Sequence, residues 1–160
     1  MRAYKKAVIA SLFLPFLAIQ KPVGVVTFEQ LQAEASIKQN DTLYVVNFWA
    51  TWCDPCVHEI PYFQNVYSKL SGKKVKMIFV SLNAVRELPK VQQFADNKSL
   101  KSEVLVLNGG NPNNWIDKVD SSWTGSIPAT VLYKHGKKLY FHEGELTEES
   151  LTSIIQTKNK

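Results

Sequence analysis

The sequence predicts an α/β fold, with helices on both faces of a mixed central sheet. Three observations favour this fold. Apolar segments typical of buried strands alternate with segments of helical periodicity, a hairpin pattern follows them, and an amphipathic segment ends the chain. With 160 residues, 45% of them apolar and 21% charged, the chain is large enough for a real core and has an ordinary globular composition.

The first strand and helix are predicted near residue 23. Val23–Val26 can form a short strand, and Thr27 is expected to cap a helix because Gln30 supplies the return partner of a capping box. Leu43–Trp49 is almost entirely apolar. Such a segment is expected at the centre of a parallel sheet, where a strand is buried on both faces.

A long helix is predicted directly after this central strand. Pro55 suits its first turn, where no N–H is required. Pro61 lies within the helical pattern and should kink it, and Gly72 should end it. Apolar residues at helical spacing define its inner face: Ile60, Phe63, Val66, Tyr67 and Leu70.

In the second half of the chain, strands are predicted at residues 75–82 and 104–107, with a helix between them at 87–97. A loop at 108–114 and a helical turn at 115–119 should follow. Residues 129–133 and 139–142 are then predicted to form an antiparallel hairpin. Thr147 should cap the last helix. In this arrangement the carboxyl ends of the parallel strands are the expected place for a functional site.

The first twenty residues have a different composition from the rest. Arg2, Lys5 and Lys6 are followed by an uncharged segment, Ala7–Ile19, which is too short to span a bilayer as a helix. This pattern predicts a secretory signal at residues 1–20 and one domain at 21–160, although an uncleaved anchor or a core helix remains an alternative. Cleavage itself stays open because no clean small-x-small site is present.

The net charge of +5 comes largely from the same segment. Without residues 1–20 the chain has 16 basic and 14 acidic residues, and no basic stripe stands out. We therefore expect no nucleic-acid partner.

The two cysteines, Cys53 and Cys56, lie between the central strand and the long helix. A helix N-terminus favours negative charge, so the first thiol is biased towards the thiolate, which is the species that attacks disulfides. In an exported protein this pair can persist as a disulfide. A zinc site is a weaker alternative because it would need four ligands, and only three histidines are available besides carboxylates.

The segment Val46–Pro61 (V-N-F-W-A-T-W-C-D-P-C-V-H-E-I-P) resembles the active-site segment of the thioredoxin superfamily, and Ile127-Pro128 resembles its cis-proline loop. The resemblance covers about residues 23–157 and is closer to exported TlpA/ResA-like thiol–disulfide oxidoreductases. Three features support this closer match: Asn47, the C-x-P-C-x-x-E-x-P pattern, and the long segment between Cys56 and Pro128. It implies a thioredoxin-like fold with a strand–helix insertion, whereas the subgroup's long N-terminal hairpin looks short or missing.

The resemblance assigns roles to the two cysteines and their neighbours. Cys53 is expected to attack the substrate, and Cys56 to resolve the mixed disulfide from a more buried position. Glu59 lies one turn after Cys56, so a partly buried carboxylate there would have a raised pKa and could take the proton of Cys56. A solvated surface charge is the alternative for Glu59.

Other residues are expected to tune the pair or to dock the substrate. Asp54 and Pro55 lie between the thiols, and a carboxylate there disfavours the thiolate and favours a reducing couple. Asn47 needs hydrogen-bond partners if it is buried. Substrate docking is expected at three residues, Trp52, Ile127 and Pro128, with a cis bond before Pro128. Trp123 lies near the site or is ordinary packing.

Taken together, the sequence predicts an exported, monomeric protein-disulfide reductase in the periplasm or on the outer face of the cytoplasmic membrane. We expect no cofactor and no metal, because the dithiol itself is the redox centre. The expected partners are a disulfide-containing protein and an electron donor, either a membrane protein or a thioredoxin-like one. Membrane contact is expected only through an uncleaved N-terminal segment. The alternatives are a dithiol oxidase or isomerase and a binding module, either a chaperone or a metal carrier.

Overall fold

A computed structural model describes residues 21–35, 40–70 and 73–159. The predicted signal segment, residues 1–20, and the predicted helix end at Gly72 lie outside these ranges. The strands are β1 (Gly24–Val26), β2 (Leu43–Trp49), β3 (Val75–Ser81), β4 (Glu103–Leu107), β5 (Ala129–Lys134) and β6 (Lys137–Glu143). The helices are α1 (Phe28–Ala35), α2 (Asp54–Lys69), α3 (Leu88–Asn97), α4 (Ile116–Val119) and α5 (Glu148–Lys158).

The six strands form one mixed sheet in the order β1-β4-β3-β2-β5-β6. The first four strands of this order are mutually parallel, and β5 and β6 add an antiparallel edge. Strand β2 lies between β3 and β5, and each of its residues is at most 3% exposed. The predicted central strand and the predicted hairpin are therefore both confirmed.

Apolar clusters cover both faces of the sheet. One cluster holds the inner faces of α2, α3 and α5, and the other holds those of α1 and α4. The insertion between α2 and β5 supplies β4 and α3, as predicted. Within the residues described, no helix is long and apolar enough to cross a membrane.

Local signals at the helix ends are largely as predicted. The Thr27 N–H donates to Gln30 Oε1 at 2.9 Å and the Gln30 N–H donates to Thr27 Oγ1 at 3.3 Å, which completes the capping box. Thr147 Oγ1 accepts the Ser150 N–H at the start of α5. Helix α2 continues through Pro61 and ends at Lys69, before the predicted end at Gly72.

Candidate active site

The cysteine pair lies where the carboxyl end of β2 leads into α2. Cys53 and Cys56 form a disulfide with an S–S distance of 2.00 Å. Cys53 is the N-cap of α2, and its sulfur accepts the Cys56 N–H at 3.3 Å. Cys53 is 6% exposed and Cys56 is fully buried. Of the two cysteines, Cys53 is therefore the one that reaches the surface, and Cys56 is the more buried one, as predicted.

The cis-proline loop faces Cys53 from the start of β5. The Ile127–Pro128 bond is cis, as predicted, and Cys53 Sγ lies 3.6 Å from the Ile127 carbonyl oxygen. Because β5 pairs directly with β2, the sheet itself holds this loop beside the disulfide. The backbone of Ile127 is thus close enough to meet any group that approaches the Cys53 sulfur.

Glu59 is a fully buried carboxylate one turn beyond Cys56. The Asn47 Nδ2 group donates to its Oε1 and the Leu146 backbone N–H donates to its Oε2, both at 2.8 Å. Burial raises the pKa of Glu59 to about 7, because the cost of desolvating the carboxylate exceeds the stabilisation from these two donors, and the charge of Glu145 adds to the rise. The structure rules out the alternative of a solvated surface charge.

Asn47 joins β2 to both Glu59 and β5. Its Nδ2 group also donates to Thr130 Oγ1 at 3.1 Å, so one amide links a carboxylate on α2 with a hydroxyl on the strand after the cis-proline. The predicted need for partners is met on the donor side. Its Oδ1 atom has no hydrogen-bond partner among the described residues.

The segment Glu143–Thr147, here called the bridging segment, connects the two halves of the site. The Gly144 N–H donates to the Pro128 carbonyl oxygen at 2.8 Å, and Gly144 has φ +112°. Two residues later, Leu146 donates to Glu59. The same short segment therefore contacts the cis-proline loop and the buried carboxylate.

Sequence reasoning missed the partner of His58. This histidine is largely exposed, and its Nδ1 atom donates to Oε1 of Glu145 in the bridging segment. Its Nε2 atom lies 3.4 Å from the Tyr62 hydroxyl. No local signal marks Glu145 or Leu146, because each lies 87 positions from its partner on α2 in sequence.

Three tryptophans around the site lie in different environments. Trp52, next to Cys53, is 60% exposed, so it lies on the protein surface beside the disulfide. Trp49 is fully buried in the core. Trp123 packs against Phe48 with ring centroids 4.8 Å apart and donates its Nε1–H to the Ser126 carbonyl, so it is a packing residue that anchors the loop before the cis-proline.

The remaining predicted residues lie in the first turn of α2. Asp54 is exposed and Pro55 occupies an initial position of the helix, where its missing N–H costs nothing. Among the described residues, no three His, Cys, Asp or Glu side chains are grouped so that they could hold a metal ion.

A mixed sheet covered on both faces, with a C-x-x-C disulfide at a helix N-terminus opposite a cis-proline, defines a thioredoxin-like protein. The crystal structure of a thiol:disulfide interchange protein of the thioredoxin family from Chlorobium tepidum TLS has this fold, with a TM-score of 0.64 and 22% identity over 78% of this chain and 85% of that one.

The chain belongs to the AhpC/TSA family, whose profile matches residues 26–142. It is 45% identical over 112 residues to the thiol-disulfide oxidoreductase ResA of Oceanobacillus iheyensis, a match that covers 69% of this chain and 54% of that protein. It is 29% identical to ResA of Halalkalibacterium halodurans over 69% of this chain and 59% of that protein. The chain thus spans somewhat over half the length of these curated relatives, and the predicted resemblance is confirmed.

Proposed function

We propose that this protein is an exported thiol–disulfide oxidoreductase that reduces disulfides in polypeptide substrates. The observation that carries the proposal is the disulfide at the N-terminus of α2, with the partly accessible Cys53 as N-cap and the buried Glu59 one turn beyond Cys56. The name of the ResA relatives supports the reaction class.

The reaction begins from the reduced dithiol. The Cys53 thiolate attacks one sulfur of a substrate disulfide, forms a mixed disulfide and displaces the other substrate sulfur as a thiolate. Cys56 then gives its proton to the Glu59 carboxylate and attacks Cys53 Sγ, which releases the second substrate thiolate. The substrate gains two electrons, and the enzyme is left with the Cys53–Cys56 disulfide seen here.

The geometry of α2 supports Glu59 as the acceptor of the Cys56 proton. Its i,i+3 relation to Cys56 puts the two side chains on one helix face, about 5–6 Å apart at Cβ. Its pKa of about 7 means that the carboxylate can accept and release a proton near neutral pH.

The reducing direction rests on the residues between the cysteines. Cys53-Asp54-Pro55-Cys56 contains an acid and no Lys, Arg or His. A carboxylate beside the thiols destabilises the thiolate and favours the oxidised pair, which makes the couple more reducing. Redox equilibration with glutathione or dithiothreitol should give a potential near about −270 mV, whereas about −120 mV, typical of strong oxidants, would favour the oxidase alternative.

Insulin reduction tests the activity itself. The reduced protein should precipitate the insulin B chain with dithiothreitol as electron source, and Cys53→Ser should lose this activity. Equal turbidity with both proteins would instead support a binding module. Export rests on the basic and apolar pattern of residues 1–20. Fractionation of producing cells, with sequencing of the mature N-terminus, tests that part separately.

A further inference from the structure

A cavity of about 300 Å³ opens at the sheet edge where β3 and β4 end. Its walls come from residues 82–85 after β3, from residues 107–110 and 112 at and after the end of β4, and from Trp115. Both segments follow the carboxyl ends of parallel strands, the same edge that carries the disulfide. A somewhat larger cavity, about 370 Å³, lies at the opposite edge, where β1, β3 and β4 begin, away from Cys53.

The cavity is held in a fixed position relative to the disulfide loop. Asn83, on its wall, is 1% exposed and accepts the Thr51 N–H at 2.9 Å through Oδ1. Its Nδ2 group donates to Thr51 Oγ1, also at 2.9 Å. Since Thr51 is two residues before Cys53, these hydrogen bonds link the cavity wall to the loop that carries the reacting sulfur.

Exposed apolar side chains lie both beside Cys53 and on the cavity wall. In the described part of the chain the exposed large apolar side chains are Val25, Trp52 and Val85. Trp52 adjoins Cys53, and Val85 lies on the cavity wall at 39% exposure. Two of these three side chains therefore lie on the face where a substrate must approach.

The cavity wall also carries a buried donor without a partner. Trp115 is 4% exposed, and its Nε1 atom has no hydrogen-bond acceptor among the described residues. That nitrogen lies against Gly109, where a Cβ would come within 2.6 Å. The indole therefore packs tightly against the backbone of Gly109, and this contact defines the shape of the cavity wall.

We propose that this cavity is a subsite for the polypeptide substrate and takes an apolar side chain close in sequence to the reacting cysteine. The proposal rests on the proposed function and adds a substrate preference to it. Strand β4 lies two strands from β2, about 10 Å away at about 4.8 Å per strand. An extended chain advances about 3.3 Å per residue, so the apolar residue lies about two to four positions from the cysteine.

The arrangement of the sheet supports one bound segment that uses both sides of the disulfide. The cis-proline loop lies on the β5 side of β2, and the cavity lies on the β3 and β4 side. A substrate whose backbone meets Ile127 would continue over Cys53 and Trp52 to place a side chain beside Val85. The exposed apolar side chains Trp52, beside Cys53, and Val85, on the cavity wall, favour a polypeptide as the occupant.

The test uses nine-residue peptides whose central cysteine is linked by a disulfide to glutathione. The other eight positions are serine in the reference peptide, and in each further peptide leucine replaces one of these serines. The rate constant for attack by the reduced protein is measured by quenching and mass spectrometry. Leucine at one of the positions two to four residues from the cysteine should raise the rate constant about 3- to 10-fold, as expected for burial of part of a leucine side chain.

Two variants and one matched control locate the effect. Val85→Ser removes an exposed wall residue, and Ala84→Phe fills the cavity from an exposed position; both should abolish the leucine preference. Val25→Ser changes a valine of similar exposure, 41%, on edge strand β1 and should retain it. All four proteins should react equally with oxidised glutathione, which is too small to reach the cavity.

Several results would overturn the proposal. A uniform rate across the peptides, or a leucine preference that survives both variants, would remove the subsite while leaving the proposed function intact. A protein that sediments as a dimer, and as a monomer after Ala84→Phe, would show that a second copy occupies the cavity. Failure of the wild type to react even with oxidised glutathione would remove the proposed function, and the subsite with it.

Discussion

Leu146 donates its backbone N–H to the buried carboxylate of Glu59 at 2.8 Å, although the two residues are 87 positions apart. Two residues earlier, Gly144 donates to the carbonyl of Pro128. The bridging segment therefore connects Glu59, one turn beyond Cys56, to the cis-proline loop that faces Cys53. A substitution that moves the bridging segment should therefore affect both Glu59 and the cis-proline loop.

The raised pKa of Glu59 predicts a stability that falls with pH. The folded-state pKa of about 7 lies above the usual 4.5, so between these values the folded state holds a proton that the unfolded state has released. The stabilisation is complete below about pH 4.5 and is lost as pH rises through about 7. Denaturation of the oxidised protein should show a contribution of about 3 kcal/mol lost between pH 4.5 and pH 8.

The Glu59→Gln variant is the control for that measurement. The amide keeps the size of the side chain but cannot ionise, so the pH dependence in this window should largely disappear. An unchanged slope would show that other groups are responsible. The same variant should also slow disulfide exchange at neutral pH, because it cannot take the proton of Cys56.

Asn47→Ala should shift the pH–rate profile of exchange to higher pH. The substitution removes a donor to the Glu59 carboxylate and so raises its pKa further. A hydrogen bond to a charged group contributes about 1.5–3 kcal/mol, which corresponds to about one to two pH units. Thr130→Val removes the other acceptor of Asn47 but leaves the donor to Glu59, so its profile should stay near the wild-type position.

Gly144→Ala should impair exchange beyond its effect on stability. Gly144 adopts φ +112°, which an L side chain rarely adopts, so the bridging segment must shift. Gly136→Ala strains a residue at φ +72° in the β5–β6 turn and serves as the matched control. Both variants should lose about 1–2 kcal/mol in denaturation. Only Gly144→Ala should also change the pH–rate profile of disulfide exchange. Identical profiles for the two variants would show that the bridging segment has no role in catalysis.

Asp54→Asn should make the cysteine pair more oxidising. Without the carboxylate the thiolate is more stable, so the reduced form is favoured and the potential becomes less negative. An effect of about 0.5–1.4 kcal/mol corresponds to about 10–30 mV. Glu29→Gln, which removes an acid from the first turn of α1, should leave the potential unchanged. A shift in the opposite direction would show that Asp54 does not oppose the thiolate.

The sequence was sufficient for features that local patterns determine. Leu43–Trp49 is apolar at every position but Asn47, and this alone identifies a strand buried on both faces. The capping box of Thr27 and Gln30 likewise requires only a three-residue spacing. The Cys53–Cys56 pair, its helix and the cis bond at Pro128 followed from local motifs and the family resemblance.

The contacts that complete the site could not be predicted in the same way. Glu145 meets His58 and Leu146 meets Glu59 only because α5 packs against α2 and brings the end of β6 to the start of that helix. A backbone N–H donor has no sequence signature of its own. The indole of Trp115 and the adjacent Gly109 likewise become a cavity wall only in the folded insertion.

Covalent trapping with Cys56→Ser tests the central claim most directly. Without the resolving thiol, attack on a disulfide peptide should stop at the mixed disulfide. Peptide mapping by mass spectrometry should then find the adduct on Cys53, formed faster than on Cys56 in a matched Cys53→Ser variant. Absence of an adduct on Cys53, or equal labelling of the two variants, would contradict the account.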